Sequence, residues 1–205
     1  MRSDLTNLSE KARICTIIWS SWSWKTTLLE KLFSNYPDLY ELITITTTRP
    51  KRSYEKQWEW YLFISWDEYD ESKNIVNITL EKGKNGLVIP YKYGISIEEV
   101  ERIKKKSKIW LVACWVEIHD RIAKIDNVEH SAVFLQISFL ESVNRMFKRW
   151  DAFDSVRARV WWFGQESWLW RNVRDTSIIV NNEIELTKER IQLIHNAILE
   201  RWASV

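Results

Sequence analysis

Three neighbouring side chains near the amino terminus, Lys25, Thr26 and Thr27, are of the types that bind phosphate and a metal ion. They follow the β-branched apolar run 14–18 and begin a segment in which leucines recur at helical spacing. A strand, a short polar loop and a helix starting with Lys-Ser/Thr together form a phosphate-binding loop. We therefore expect Lys25 to reach the terminal phosphates and the Thr26 hydroxyl to ligate Mg²⁺. The predicted loop also contains Ser20, Ser21 and Ser23.

The loop departs from the usual motif at its glycines. Trp19 and Trp24 stand where the motif has its two glycines, and Trp22 stands at a third position that is often glycine. The chain has 4 glycines and 14 tryptophans, whereas an average composition would give roughly 14 glycines. We hypothesise that many tryptophan positions were glycine in a parent sequence. Because other residues in glycine-only backbone conformations cost about 1–3 kcal/mol each, we expect this chain to bind a nucleoside triphosphate poorly.

The composition and length of the chain indicate which partners and which domain size to expect. The 205 residues include 30 basic and 28 acidic ones, with a formal net charge of +2, so neither nucleic acid nor a membrane surface is an expected partner. A chain of this length suits one α/β domain with a small lid. Cys15 and Cys114 lie in apolar runs, which predicts buried, reduced thiols. The first residues lack an apolar signal core and no run reaches the roughly 18 apolar residues of a membrane span, so we expect a cytoplasmic location.

Alternating strand and helix patterns predict an α/β fold, with a central parallel sheet covered by helices. Residues 96–106 carry the clearest helix start, because Ser96 and Glu99 form a capping-box pattern. The predicted strands are 14–18, 42–48, 61–65, 74–80, 87–93, 109–116, 132–137 and 178–180, with a turn at 82–86. The predicted helices are 26–33, 96–106, 117–125, 140–149 and 184–203, with a weaker one at 67–72.

A basic turn follows the second predicted strand and gives the chain its most diagnostic motif. The segment Thr47-Thr48-Arg49-Pro50-Lys51-Arg52 is similar to the Thr-Thr-Arg-x-x-Arg segment of guanylate kinases, and 25–32 resembles the phosphate loop and first helix of that family. The resemblance extends over nearly the whole chain. It includes the turn 36–38, the two tyrosine-containing strands of the GMP site at 61–65 and 93–96, the arginine-bearing lid at 145–159 and the last strand at 178–182.

The resemblance implies a P-loop three-layer fold and an ATP- and Mg²⁺-dependent enzyme that converts GMP and ATP to GDP and ADP as a monomer or homodimer. It implies a core of 11–45, 96–144 and 173–205, a small GMP-binding insertion at 46–95 and a helical lid at 145–172. The implied GMP-binding residues are Arg49, Arg52, Tyr61 and Tyr93. The implied ATP-binding residues are Ser20, Ser21, Ser23, Lys25, Thr26 and Thr27, with Thr26 on the metal. The implied catalytic residues are Lys25, Arg145 and Arg157, with Arg149 and Arg159 as further candidates.

Departures from the family pattern leave other functions open. Ile45 stands where the family usually has a serine, and Ala113 and Trp115 stand where acidic residues are expected, with Glu117 the nearest acid. Glu81 is the nearest candidate for reading guanine. A related kinase with another phosphorylated acceptor is therefore one alternative. A second is a non-catalytic interaction module, which would keep the arginine and tyrosine pocket for an acidic or phosphorylated partner.

Three groups of residues have alternative interpretations. Arg49 and Arg52 would be solvated turn residues if they bound no phosphate. His119, His130 and His195 share no metal-ligand spacing, so we expect surface or helix-face histidines rather than metal ligands or acid/base groups. The tryptophans are not interleaved with a basic stripe, which disfavours a stacking surface for single-stranded nucleic acid.

Overall fold

The structure is a computed structural model that describes residues 12–19, 25–51, 55, 60–84, 87–105, 108–136, 138–148, 178–181 and 185–203. In chain order its elements are β1 Ala12–Trp19, α1 Lys25–Asn35, β2 Tyr40–Leu42, β3 Ile45–Thr47, β4 Tyr61–Phe63, β5 Asn74–Lys84, β6 Leu87–Ser96, α2 Ile97–Lys104, β7 Ile109–Cys114, α3 Val116–Ile122, β8 Val128–Gln136, α4 Phe139–Lys148, β9 Ile178–Asn181 and α5 Lys188–Ala203. A short 3-10 turn spans Glu71–Lys73.

A five-stranded parallel sheet forms the centre of the molecule, in the order β2-β7-β1-β8-β9. The middle strand, β1, alternates its side chains between the two faces of the sheet. Cys15 and Ile17 pack with α1 and α5 on one face, whereas Ile14 packs with α2 and α3 on the other. Helices on both faces of a parallel sheet make the three-layer α/β fold that the alternating pattern predicts.

A second sheet, in the order β4-β3-β6-β5, lies beside the first. In it β3 is parallel to β4 and antiparallel to β6, and β5 is antiparallel to β6. Its apolar side chains join the core beneath α2 and α3, where Ile45, Val76 and Tyr93 are buried beside Val112 and Ile118. The two sheets therefore share one hydrophobic cluster.

The prediction of a single strand at 42–48 is wrong. Two strands, β2 and β3, occupy this stretch and belong to different sheets. At the crossing, the backbone N–H of Thr44 donates to Glu99 Oε1 at 2.9 Å, and Arg102 Nη2 donates to the carbonyl of Leu42 at 3.2 Å. Glu99 and Arg102 are themselves hydrogen-bonded at 2.6 and 2.8 Å. Side chains of α2 thus form hydrogen bonds with the backbone N–H and carbonyl groups of the segment that connects the two sheets.

Smaller differences concern the ends of elements. The helix start at Ser96 is confirmed, because its hydroxyl accepts a hydrogen bond from the backbone N–H of Glu99 at 3.1 Å. The predicted helix at 67–72 is wrong, since only the 3-10 turn Glu71–Lys73 is helical there. The predicted turn at 82–86 is wrong in its first part, because β5 continues to Lys84. In the described part of the chain, no helix is both long and apolar enough to cross a membrane.

Two of the three histidines meet at a buried hydroxyl beside the centre of the sheet. Thr16 Oγ1 lies 2.9 Å from His119 Nδ1 and 3.0 Å from His130 Nε2, and the two rings are 4.6 Å apart. The third, His195, stacks on Tyr36 and bonds to the Tyr40 hydroxyl. The expected helix-face position is confirmed for His119 in α3 and His195 in α5, although both are buried. It is wrong for His130, which is partly buried in strand β8. Among the described residues, no group of three or more potential metal ligands occurs.

Acid is expected to destabilise the fold through the histidine pair. Burial lowers the pKa of His119, and burial together with the charge of His119 lowers the pKa of His130 to about 3. Below the ordinary histidine pKa the unfolded chain therefore binds protons that the folded chain excludes, so stability falls as the pH falls from about 6.5 toward 3. We expect a loss of about 2 kcal/mol from His130 between pH 7 and 5. Urea unfolding at a series of pH values measures it.

The matched variant is His130→Gln, which keeps an amide group near Thr16 but cannot titrate in this range. Its free energy of unfolding is expected to change less between pH 7 and 5 than that of the unaltered chain. Equal pH slopes for the two proteins would contradict the assignment of this acid sensitivity to His130.

Candidate functional site

Arg49 follows β3 and is held there by its own backbone. Its N–H donates to Thr47 Oγ1 at 3.1 Å, and the Thr47 hydroxyl donates in turn to the carbonyl of Lys92 on β6 at 3.0 Å. The basic turn is therefore anchored to the neighbouring strand through a threonine of the Thr-Thr-Arg motif. Arg49 is 8% exposed, so it is not a solvated turn residue.

The buried guanidinium of Arg49 is paired with a carboxylate that sequence reasoning did not single out. Nη1 and Nη2 donate to the two carboxylate oxygens of Glu55, at 3.0 and 2.8 Å. Nη1 also donates to the carbonyl of Pro50 at 2.9 Å. The guanidinium carbon lies 5.3 Å from the ring centre of Tyr61 and 5.2 Å from that of Phe63, both on β4. Burial lowers the pKa of Arg49, but the hydrogen bonds and charge of Glu55 raise it overall.

Tyr93 links this arginine to the edge of the central sheet. It is fully buried on β6, where it pairs with Thr47 of β3, two residues before Arg49, and the charge of its ionised phenol, like that of Tyr61, raises the pKa of Arg49. The Tyr93 ring also meets the ring of Trp115 edge to face, with centres 4.9 Å apart. Trp115 directly follows β7, and Cys114 at the end of β7 pairs with Ile18 of β1. Arg49, Tyr61 and Tyr93 are thus together, next to the edge where β1 ends.

The same edge carries the start of α1. Trp19 is the last residue of β1, and α1 begins at Lys25, followed by Thr26 and Thr27. The first turn of α1 contains no acidic residue, so no carboxylate of this turn repels an anion at the positive end of the helix dipole. Ser20, Ser21, Trp22, Ser23 and Trp24 lie outside the described residues. The donor set at this helix start fits a phosphate.

Comparison with known proteins agrees with this arrangement. The family model described as guanylate kinase matches residues 11–197. The chain belongs to the guanylate kinase family. Among solved structures, a guanylate kinase from Anaplasma phagocytophilum is similar in fold, with a TM-score of 0.63 and 17% sequence identity over 94% of this chain and 87% of that chain. A search of the curated proteins found no match.

The remaining residues that the guanylate kinase resemblance implied are placed only in part. Arg145 lies in α4, where Nε donates to Glu141 Oε1 one helical turn earlier at 2.7 Å. Its side chain is 12% exposed. Arg52, Arg149, Arg157 and Arg159 lie outside the described residues, as does most of the predicted lid at 145–172. The structure therefore brings three of the four predicted GMP-binding residues, Arg49, Tyr61 and Tyr93, together. Contact between the lid arginines and these residues stays a prediction.

Two positions that depart from the guanylate kinase pattern are apolar, and the nearest acid to them after β7 is exposed. Ile45 is 3% exposed and belongs to the shared hydrophobic cluster. Ala113 is half-buried near the end of β7, and Glu117 is exposed in the first turn of α3. The backbone of Glu81 on β5 pairs with that of Pro90 on β6.

Glu55 is the site residue that sequence reasoning missed. Its signal is weak, because it is one of several charged residues between the basic turn and β4. The usable signal was its place six residues after Arg49, ahead of an aromatic strand. A buried arginine at a turn requires an acceptor of opposite charge nearby, since an unpaired buried charge is strongly unfavourable.

Proposed function

We propose that this protein transfers a phosphoryl group from ATP to a nucleoside monophosphate, with GMP as the foremost acceptor. The observation that carries the proposal is the position of Arg49. It is a buried guanidinium with Tyr61 beside it and Tyr93 on the neighbouring strand, next to the edge where β1 leads to the helix that begins at Lys25. Arginine binds phosphate through parallel hydrogen bonds, and phenols donate a hydrogen bond without adding charge.

The proposed division of labour follows from these positions. Arg49, Tyr61 and Tyr93, with Arg52, bind the phosphate of the acceptor. Lys25 and the N–H groups at the start of α1, together with the loop serines, hold the phosphates of ATP. Bound Mg²⁺, with Thr26 as its proposed ligand, supplies charge neutralisation during transfer. No general base is needed, because the acceptor phosphate is already an anionic nucleophile.

The lid arginines complete the proposal. Phosphoryl transfer depends mainly on positioning and on stabilising negative charge at the transferring group. Arg145 and Arg157 are proposed to supply positive charge there. For Arg145 this requires its guanidinium to leave or share the carboxylate of Glu141, with which it is paired in α4.

A second candidate function is a related kinase with another phosphorylated acceptor. It is favoured by Ile45 and Ala113, which offer no hydrogen bond from their side chains at positions where the family has a serine and an acid. A non-catalytic interaction module would share the pocket around Arg49 but not ATP turnover. These alternatives differ in what they consume, so one assay separates them.

ADP formation, measured in a coupled assay with ATP and Mg²⁺, tests the proposal. GMP is expected to give the highest rate, and AMP, CMP and UMP lower rates. A higher rate with another phosphorylated acceptor would favour the second candidate. Because Trp19, Trp22 and Trp24 are expected to impair ATP binding, the assay includes the variant with glycine at these three positions. The proposal is wrong if that variant binds ATP yet forms no ADP with any monophosphate.

A further inference from the structure

We propose that Glu55 is a positioning residue, which holds Arg49 by one edge of its guanidinium so that the other edge faces the acceptor phosphate. This inference rests on the proposed function, because it assigns Arg49 to the phosphate of GMP. It adds a residue for which neither the motifs nor the family match supplies a role.

An arginine side chain has five N–H donors, arranged as two bidentate edges that share one nitrogen. In Arg49, Glu55 takes one donor from each of Nη1 and Nη2, and the carbonyl of Pro50 takes the second donor of Nη1. Within the part of the chain that the structure describes, the Nε–H and the second Nη2–H donate to no acceptor. These two donors form the side edge, whose spacing matches two oxygens of a phosphate.

Other ion-paired arginines of the chain use this edge differently. In Arg102, Nε and Nη2 both donate to Glu99, so the side edge is taken by a carboxylate. The Nε–H of Arg13 donates to Glu129. At Arg49 the carboxylate is instead bound at the end of the guanidinium. Its pairing therefore differs from that of the arginines with a structural partner.

The rings on β4 restrict the guanidinium further. Tyr61 and Phe63 place their centres almost equally far from the guanidinium carbon, at 5.3 and 5.2 Å. Their ring centres are 5.7 Å apart. With the rings against the group and Glu55 at its end, rotation about the last side-chain bonds is restricted. A preorganised guanidinium loses less conformational entropy when phosphate binds, which raises affinity.

The electrostatic effect of Glu55 has the opposite sign. The carboxylate neutralises the charge of Arg49 and repels a phosphate dianion, so a mere competitor would weaken binding. The two effects predict opposite results when the charge of Glu55 is removed. We expect positioning to dominate, because the carboxylate and the available edge lie on different sides of the guanidinium.

Calorimetric titration of Glu55→Gln with GMP and with guanosine tests the inference. Since glutamine offers one acceptor in place of two and carries no charge, we expect GMP affinity to fall about tenfold, with guanosine affinity unchanged. Glu55→Asp, which keeps the charge on a shorter side chain, is expected to recover part of the loss. Glu129→Gln removes the carboxylate of the Arg13 pair, which is also partly buried, and is expected to leave both affinities unchanged.

Each other result has a distinct meaning. Tighter binding of GMP by Glu55→Gln would show that Glu55 competes with phosphate, and would overturn the inference. An equal loss for GMP and guanosine would show a general structural role, and would also overturn it. If Glu55→Gln does not fold, unchanged or tighter GMP binding by Glu55→Asp overturns it. An unaltered chain that binds GMP no better than guanosine would instead refute the proposed function on which the inference rests.

Discussion

Replacing Arg49 by lysine is expected to weaken GMP binding by about 30- to 100-fold, because hydrogen bonds to charged groups contribute about 1.5–3 kcal/mol each. Lysine keeps the positive charge and can still pair with Glu55. It has no planar fork, however, so it cannot bind the carboxylate and a phosphate through two separate edges. Removing the whole side chain would be a poorer test, since it would leave Glu55 without its buried partner and destabilise the fold.

Isothermal titration with GMP measures this effect without involving ATP. Guanosine serves as the ligand control, because it lacks the phosphate and should bind the two proteins equally. Arg13→Lys is the matched variant, since Arg13 is another partly buried arginine paired with a glutamate. It lies near the start of β1, at the opposite end from the predicted phosphate loop. GMP affinity that survives Arg49→Lys would remove Arg49 from the phosphate site.

The central sheet could be predicted because its strands carry their own signal. Buried parallel strands are continuous apolar runs, and 14–18 and 109–116 have this pattern. The change of sheet within 42–48 has no such signal, since β-branched residues continue across it. It is decided by distant groups: the N–H of Ile43 donates to Leu111 on β7, and that of Thr44 donates to Glu99 on α2. The pattern of apolar residues within a segment does not reveal hydrogen bonds to residues that are distant in sequence.

In the candidate site, too, residues marked by local motifs could be predicted, whereas residues that depend on distant contacts could not. Arg49, Tyr61 and Tyr93 could be predicted because family motifs mark them, and the structure places them together. Glu55 escaped prediction because its role depends on how the turn folds back on Arg49. The pair His119 and His130 escaped it as well. Each contacts Thr16 across more than 100 residues of sequence, and their meeting depends on the pairing of β1 with β8, not on their own spacing.

Glycine at positions 19, 22 and 24 is expected to raise ATP affinity by about 100-fold, which corresponds to about 2.7 kcal/mol. Trp19 ends β1 without a positive φ, so strain of this kind concerns Trp22 and Trp24, and two tryptophans in glycine-only backbone conformations would cost roughly 2–6 kcal/mol in total. The chain avoids this strain only if the loop takes a shape other than the one that cradles phosphates. Indole rings at these positions would also occupy space where phosphate approaches the backbone. The triple glycine variant removes both obstacles, and titration with ATP and Mg²⁺ measures the gain.

The control is Trp66→Gly, which makes the same substitution at a turn outside the predicted phosphate loop. Trp66 is 45% exposed, and its ring lies against the ammonium group of Lys92. In the part of the chain that the structure describes, Asn127 is the only non-glycine residue with a positive φ, so the backbone at Trp66 needs no glycine. We expect this variant to leave ATP affinity unchanged. Micromolar ATP affinity in the unaltered chain would show that the loop accommodates its tryptophans, whereas a gain confined to the triple variant would locate the impairment in the loop.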